Sequence, residues 1–67
     1  MIIFNKLWDV MSEKNFSTYR LREVADLDSK TIKRLRNNMN TETNTLDRIC
    51  KALDCELSDI AEFVKDE

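Results

Sequence analysis

The apolar positions along this chain recur mostly at spacings of three and four residues, which is the period of amphipathic α-helices. Residues 2–14 show this period first, and the pattern predicts one helix over that range. Its apolar face consists of Ile3, Leu7, Val10 and Met11, with Phe4 and Trp8 as a neighbouring stripe. We expect Trp8 to pack in the core or at its edge, near Phe63, with a dimer contact as the alternative.

Two short helices joined by a sharp turn are predicted next. Asn15 ends the first helix because asparagine tolerates left-handed backbone, and Ser17 can cap a second helix over about 18–25. A third helix is predicted over about 29–37, and either Asp28 or the serine after it can cap this helix. The order helix, turn, helix is therefore expected between residues 17 and 37.

The third predicted helix has a basic outer side. Ile32 and Leu35 are spaced i, i+3 and mark its buried side. The side chains left on its outer side are Ser29, Lys30, Lys33, Arg34 and Asn37. Residues 30–36 hold four basic residues and no acidic one. A short helix with a polar start and a basic outer side is suited to the major groove of DNA.

The remaining apolar positions predict two more helices. The fourth covers residues 45–53 after a cap at Thr43-Asn44, and its apolar face consists of Leu46, Ile49, Cys50 and Leu53. A last helix is expected after Ser58, with inner residues Ile60, Ala61, Phe63 and Val64. Short helices are not stable singly, so we predict an all-α, compact five-helix bundle in which residues 1–67 form one domain.

Length and composition limit the remaining possibilities. With 67 residues the chain can bury one small core, and it has no room for a second domain that holds a small-molecule ligand. It contains no Gly and no Pro, so few turns that need positive φ are expected. No apolar run approaches a membrane-spanning length and the start does not match a signal peptide, so we expect no membrane contact and a cytoplasmic location.

The net charge of −2 is unevenly distributed along the chain. Residues 54–67 hold six acidic residues and one basic residue, whereas residues 1–53 hold ten basic and seven acidic ones, a net +3. Such a molecule can present a positive face to phosphate while its acidic end points away.

Catalytic and metal chemistry have little support in this sequence. There is no His, and Cys50 and Cys55 are the only cysteines, so a zinc site lacks ligands. A disulfide requires the helix to end between these two cysteines, and we interpret them as small apolar side chains near the core. Without His, a Gly-rich loop or a paired-carboxylate motif, we expect neither an enzyme nor a bound cofactor.

Several of these motifs occur together in a known order. They are Phe16-Ser17 and Leu21 in the second helix, Thr31-Ile32 and Leu35 in the third, and LDRICKALDC from Leu46 in the fourth. The most specific motif is Thr45-Leu46 followed by Ile49 after two residues and by Lys51-Ala52-Leu53 after one more residue. From about Leu7 to Ile60 the chain resembles the Cro/repressor-type helix-turn-helix family (the XRE group), particularly its small stand-alone members.

The resemblance implies a five-helix, lambda-repressor-like DNA-binding domain whose third helix enters the major groove. It implies base contacts from Ser29, Lys30, Lys33 and Arg34, of which Lys33 can lie close to bases or phosphate. It implies phosphate contacts from Thr18, Asn37, Asn38, Asn44 and Thr45. It also implies a homodimer whose interface involves Leu57, Ile60 and Phe63. The expected partners are therefore double-stranded DNA and a second copy of the chain.

Five positions depart from the family pattern, and one of them is Thr18, which stands where Gln is usual. Arg22 and Asp26 stand where a small residue and the turn Gly are usual, and Asn38 stands where Gly is common. Asp28 beside the third helix repels phosphate although it suits the helix dipole. We expect a repressor-like transcriptional regulator. The alternative hypothesis is a helix-turn-helix fold used for protein–protein interaction, as in an antitoxin or a phage regulatory protein.

Overall fold

The computed structural model describes residues 1–65, which contain five helices and a two-stranded antiparallel sheet. In chain order the elements are β1 (Ile2–Ile3), α1 (Asn5–Glu13), α2 (Thr18–Val24), α3 (Ser29–Arg36), α4 (Thr43–Leu53), α5 (Leu57–Ile60) and β2 (Glu62–Phe63). The prediction of a compact five-helix fold is confirmed, and the small sheet is an addition to it. Asp66 and Glu67, counted above in the acidic segment, lie outside the described residues.

All five helices contribute side chains to the core. The largest fully buried side chains are Leu7, Leu21, Leu35, Ile49, Leu53 and Ile60. Burying an aliphatic side chain of this size stabilises a fold by about 1.5–3 kcal/mol. α1 packs against α5, while α2 packs against both α3 and α4. None of the helices within residues 1–65 is long and apolar enough to cross a membrane.

Left-handed residues end four of the helices without any glycine. Asn15, Asp26, Asn38 and Asp54 have φ between 51° and 56°. The expectation of few positive-φ turns was wrong, because asparagine and aspartate also tolerate this region. The interpretation of Asn15 as a helix end, and of Asp26 and Asn38 as substitutes for glycine, is confirmed.

The first helix begins later than predicted. Ile2 and Ile3 form β1, with Ile2 opposite Phe63 of β2. β-branched residues favour such extended pairing. The Phe4 amide, which the first turn of α1 leaves without a helical acceptor, donates to Asn38 Oδ1 at 2.7 Å. The Asn38 side chain, which follows α3, therefore supplies the hydrogen-bond acceptor for the amide at the start of α1.

The last helix is shorter than predicted. Glu56, and not Ser58, is its N-cap, and a reciprocal capping box joins Glu56 to Asp59. The Glu56 amide donates to Asp59 Oδ2 at 2.9 Å. Ala61 is already extended, at φ −135° and ψ 150°. The prediction that this helix continues through Phe63 and Val64 is wrong, and the Phe63 side chain is 70% exposed on β2.

Candidate nucleic-acid interface

α2 and α3 form a helix-turn-helix unit whose helix starts are capped by side chains. Ser17 Oγ accepts the Arg20 amide at 3.1 Å. Asp28 Oδ1 accepts both the amide of Thr31 at 2.8 Å and its hydroxyl at 2.7 Å. Both predicted caps are therefore confirmed, and of the two candidates for α3 the structure selects Asp28. Leu27, inside the turn, is buried and holds the two helices against the core.

The turn is also held by a side chain from α4. Arg48 Nη1 donates to the carbonyl oxygen of Asp26 at 3.1 Å. The Nε atom of Arg48 is buried and has no hydrogen-bond partner among residues 1–65. Because the two residues lie 22 positions apart, no local pattern in the sequence indicates this contact.

The outer side of α3 is directed away from the core. Ser29, Lys30, Lys33, Arg34 and Asn37 are all exposed. At 100° per residue these positions lie within roughly 140° of the helix circumference, opposite the buried Ile32 and Leu35. The predicted outward orientation of this basic side is therefore confirmed.

The fourth basic residue of α3 has a different environment. The Arg36 guanidinium lies over the ring of Trp8 on α1, 4.3 Å from the ring centroid. This cation–π contact turns Arg36 away from the outer side of the helix. It also places Trp8 at the edge of the core, as expected, but beside α3.

The N-terminus of α3 is already occupied by a negative charge. The hydrogen bonds from the side chain and backbone of Thr31 lower the pKa of Asp28. The carboxylate is therefore ionised at neutral pH and lies at the positive end of the helix dipole. An incoming phosphate at this position meets repulsion, so α3 can contact nucleic acid mainly through its side chains.

The N-terminus of α4 is open. α4 begins at Thr43, two residues before the predicted 45–53 range, and the side chain of its N-cap, Glu42, makes no capping hydrogen bond. The Thr45 amide bonds to the Glu42 carbonyl at 3.0 Å. Within residues 1–65 the amides of Thr43 and Asn44 have no acceptor. A helix start of this kind attracts anions.

A polar groove of about 320 Å³ connects α3 to the start of α4. Its lining consists of Thr31, Arg34, Asn40, Thr41, Glu42, Thr45 and Arg48. Two arginines, Arg34 and Arg48, therefore line the same groove as Glu42 and Thr45 from the start of α4. Sequence reasoning missed Arg48 as a contributor, since its position depends on the packing of α4 against α2.

Comparison with known proteins identifies the family. The model of the Cro/C1-type helix-turn-helix DNA-binding domain matches residues 6–66. The chain belongs to this family. A crystal structure of the transcriptional regulator VanUg is 29% identical, with a TM-score of 0.90, and the match covers 97% of this chain and 87% of that one. No curated protein sequence matches the chain.

The residues for which the resemblance implied phosphate contacts differ in availability in this Cro/C1-type domain. Asn44 is exposed at the open start of α4, and Thr18 is half-buried at the first position of α2. Thr45 is only 8% exposed, so its side chain lies on the floor of the groove. Asn38 caps Phe4 and its Nδ2 lies 3.5 Å from Asn5 Oδ1, so Asn38 has a structural role.

The residues for which a dimer contact was implied are also separated by the fold of the Cro/C1-type domain. Ile60 is 0% exposed and belongs to the core, whereas Leu57 is 53% exposed. Leu57 and Phe63 line a shallow groove of about 560 Å³ together with Ile2 from β1. We call these three exposed residues, Ile2, Leu57 and Phe63, the C-terminal apolar patch.

Proposed function

We propose that this chain is a repressor-like transcriptional regulator that recognises a specific sequence in double-stranded DNA. The observation that carries the proposal is the uncovered outer side of α3, with Lys30, Lys33 and Arg34 exposed opposite a buried apolar side. Arginine and lysine donate to O6 and N7 of guanine in the major groove, and Ser29 adds a short donor and acceptor. As a bacterial or phage regulator, such a protein would act in the cytoplasm in association with the nucleoid.

Phosphate contacts on both sides of α3 position the helix in the groove. The free amides at Thr43 and Asn44 supply one such contact, because helix starts bind phosphate. Thr18 at the start of α2 and Asn37 at the end of α3 supply others. The Asn37 side chain also donates to the Lys33 carbonyl at 3.1 Å, which leaves its carboxamide oxygen for a water or ligand.

Selection from a pool of random duplexes at moderate salt tests the proposal. We expect the wild-type chain to recover related sequences, with affinity that falls steeply as salt rises because phosphate contacts release counterions. The double variant Lys30→Ala/Arg34→Ala is expected to recover none. Its matched control is Lys14→Ala/Lys65→Ala, which removes the same charge outside α3 and is expected to select the wild-type sites. Equal selection by all three proteins would contradict the role of α3.

We further propose that the protein binds DNA as a homodimer through the C-terminal apolar patch. Leu57 and Phe63 are large apolar side chains that a monomer leaves in water. Two copies joined by a twofold axis bury them and can bind half-sites about one helical turn apart.

Sedimentation tests the dimer. The variant Leu57→Ser/Phe63→Ser is expected to sediment as a monomer and to lose affinity for a paired site while keeping its affinity for one half-site. Tyr19→Ser/Val24→Ser is the control for oligomeric state, because it also replaces two exposed apolar residues but on α2. A wild-type monomer, both free and on a paired site, would contradict the proposal.

The same patch favours the second candidate, a module that binds another protein. Glu56 and Glu62 line the apolar groove with the patch, as expected of a surface that meets a partner with basic residues around an apolar centre. Random-duplex selection separates the two candidates, since a protein-only module recovers no duplex at any salt concentration.

A further inference from the structure

α4 ends between the two cysteines. Its last helical residue is Leu53, and Asp54 adopts left-handed backbone at φ 51°. The Cys55 amide then donates to the Cys50 carbonyl at 3.1 Å. This bond closes a Schellman-type turn, in which the residue after the left-handed position contacts the last turn of the helix. The requirement for a disulfide, a helix end between the cysteines, is therefore met.

The two cysteines are held close together by the backbone and are accessible. Both cysteines are free and partly buried. The hydrogen bond from the Cys55 amide to the Cys50 carbonyl holds both residues at the same end of α4. Both line one surface pocket of about 340 Å³, which a small reagent can enter. Because the chain has no other cysteine, each is the other's only intramolecular partner.

We propose that Cys50 and Cys55 form a dithiol site that closes to an intramolecular disulfide by exchange with a small-molecule disulfide. The Cys50 thiolate attacks one sulfur of the small disulfide, which forms a mixed disulfide and expels one thiolate. Cys55 then loses its proton and attacks the Cys50 sulfur, which expels the second thiolate. One S–S bond breaks and one forms in the protein, while two electrons and two protons pass to two small thiols.

Burial and, to a smaller extent, nearby charges raise the pKa of both thiols. Burial raises the pKa of the Cys50 thiol, and burial raises the pKa of Cys55 to about 11. The carboxylates that raise them further are Asp47, Glu56 and Asp59. Lys14 lowers the pKa of Cys55 and the hydrogen bond with Cys55 lowers that of Cys50, but burial outweighs both effects. Exchange at neutral pH is therefore slow and accelerates with pH.

Equilibration of the purified chain in glutathione redox buffers tests the site. In oxidising buffer we expect wild-type protein to lose both free thiols together, with a mass lower by two hydrogen atoms and no glutathione attached. Cys50→Ser and Cys55→Ser are each expected to take up one glutathione, which dithiothreitol removes. Wild-type protein with two glutathiones, or a covalent dimer on a non-reducing gel, would overturn the proposal.

A thermal-unfolding series gives an independent readout of the same bond. A disulfide between these positions cross-links the end of α4 to the segment that leads into α5, so the oxidised wild type is expected to have a higher Tm than the reduced wild type. Cys50→Ser/Cys55→Ser is the control and is expected to melt at one temperature in both buffers. A lower Tm on oxidation would show that the turn does not accommodate the bond.

Discussion

The N-termini of α3 and α4 border the same groove, yet their N-cap side chains make different hydrogen bonds. At α3 the carboxylate of Asp28 accepts the amide and the hydroxyl of Thr31. At α4 the corresponding residue, Glu42, makes no side-chain capping bond, and the amides of Thr43 and Asn44 stay open within residues 1–65. The difference lies in the third amide: at α3 a carboxylate bonds it, whereas at α4 the Glu42 carboxylate bonds none, and within residues 1–65 the first two amides of both helices have no acceptor.

The difference suggests a division of roles between the two helices. A capped start stabilises α3, which has only eight residues and projects its outer side into solvent. That negative charge leaves the side chains of α3 as its means of contact, which suits the reading of bases. The open start of α4 offers backbone donors that have no base preference, which suits the holding of phosphate.

The largest effect is expected for a change in the side chains of α3. Replacing Arg34 with Ala is expected to cost about 1–3 kcal/mol of binding free energy at the selected site, roughly 5- to 150-fold in affinity, and to relax the preference at one base pair. Lys14→Ala is the control, since it removes one exposed cation at the end of α1. Titration of labelled duplexes with single base changes measures both the loss of affinity and the change in base preference. An equal loss on every duplex would assign Arg34 to phosphate.

A smaller effect is expected for a change at the start of α4, which should lower DNA affinity and raise Tm. Asn44→Asp places a carboxylate beside the open amides. Its interaction with the helix dipole is expected to stabilise the folded protein by about 0.3–1 kcal/mol. The same carboxylate repels phosphate, so DNA affinity is expected to fall several-fold at low salt while Tm rises. Asn44→Ala separates loss of the amide side chain from gain of charge. A higher Tm with unchanged affinity would break the assignment of this helix start to phosphate.

The smallest effect on DNA affinity is expected at Asp28, where the main result is a pH-dependent stability. Its pKa is lowered, so its contribution to stability is present above its ordinary pKa of 3.8 and is lost as the pH falls through the lower folded value. Asp28→Asn keeps a cap and is expected to lack this acid dependence, whereas Asp28→Ala is expected to lower Tm at pH 7.

Thermal unfolding of these Asp28 variants between pH 7 and pH 2.5 measures the difference from wild type. Identical acid dependence in wild type and Asp28→Asn would show that the capping bond to Thr31 does not hold the carboxylate in its ionised form.

Local signals in the sequence determined the helical framework and the orientation of α3. The spacing of Ile32 and Leu35 established which side of the helix is buried, and therefore where Lys30 and Arg34 project. Ser17 and Asp28 were recognisable as caps because a cap bonds within three residues of itself. These features depend on residues that are close in the sequence, so they can be recognised from the sequence alone.

Tertiary structure decided the features that depend on distant partners. Ile2–Ile3 and Glu62–Phe63 pair as strands β1 and β2 where helix was predicted, and Asn38, 34 positions from Phe4, accepts the Phe4 amide. The packing of α1 beside α3 also places the Arg36 guanidinium over the Trp8 ring. No periodicity marks such pairs, because a hydrogen bond or a stacked ring needs only proximity in space and leaves no regular spacing along the chain.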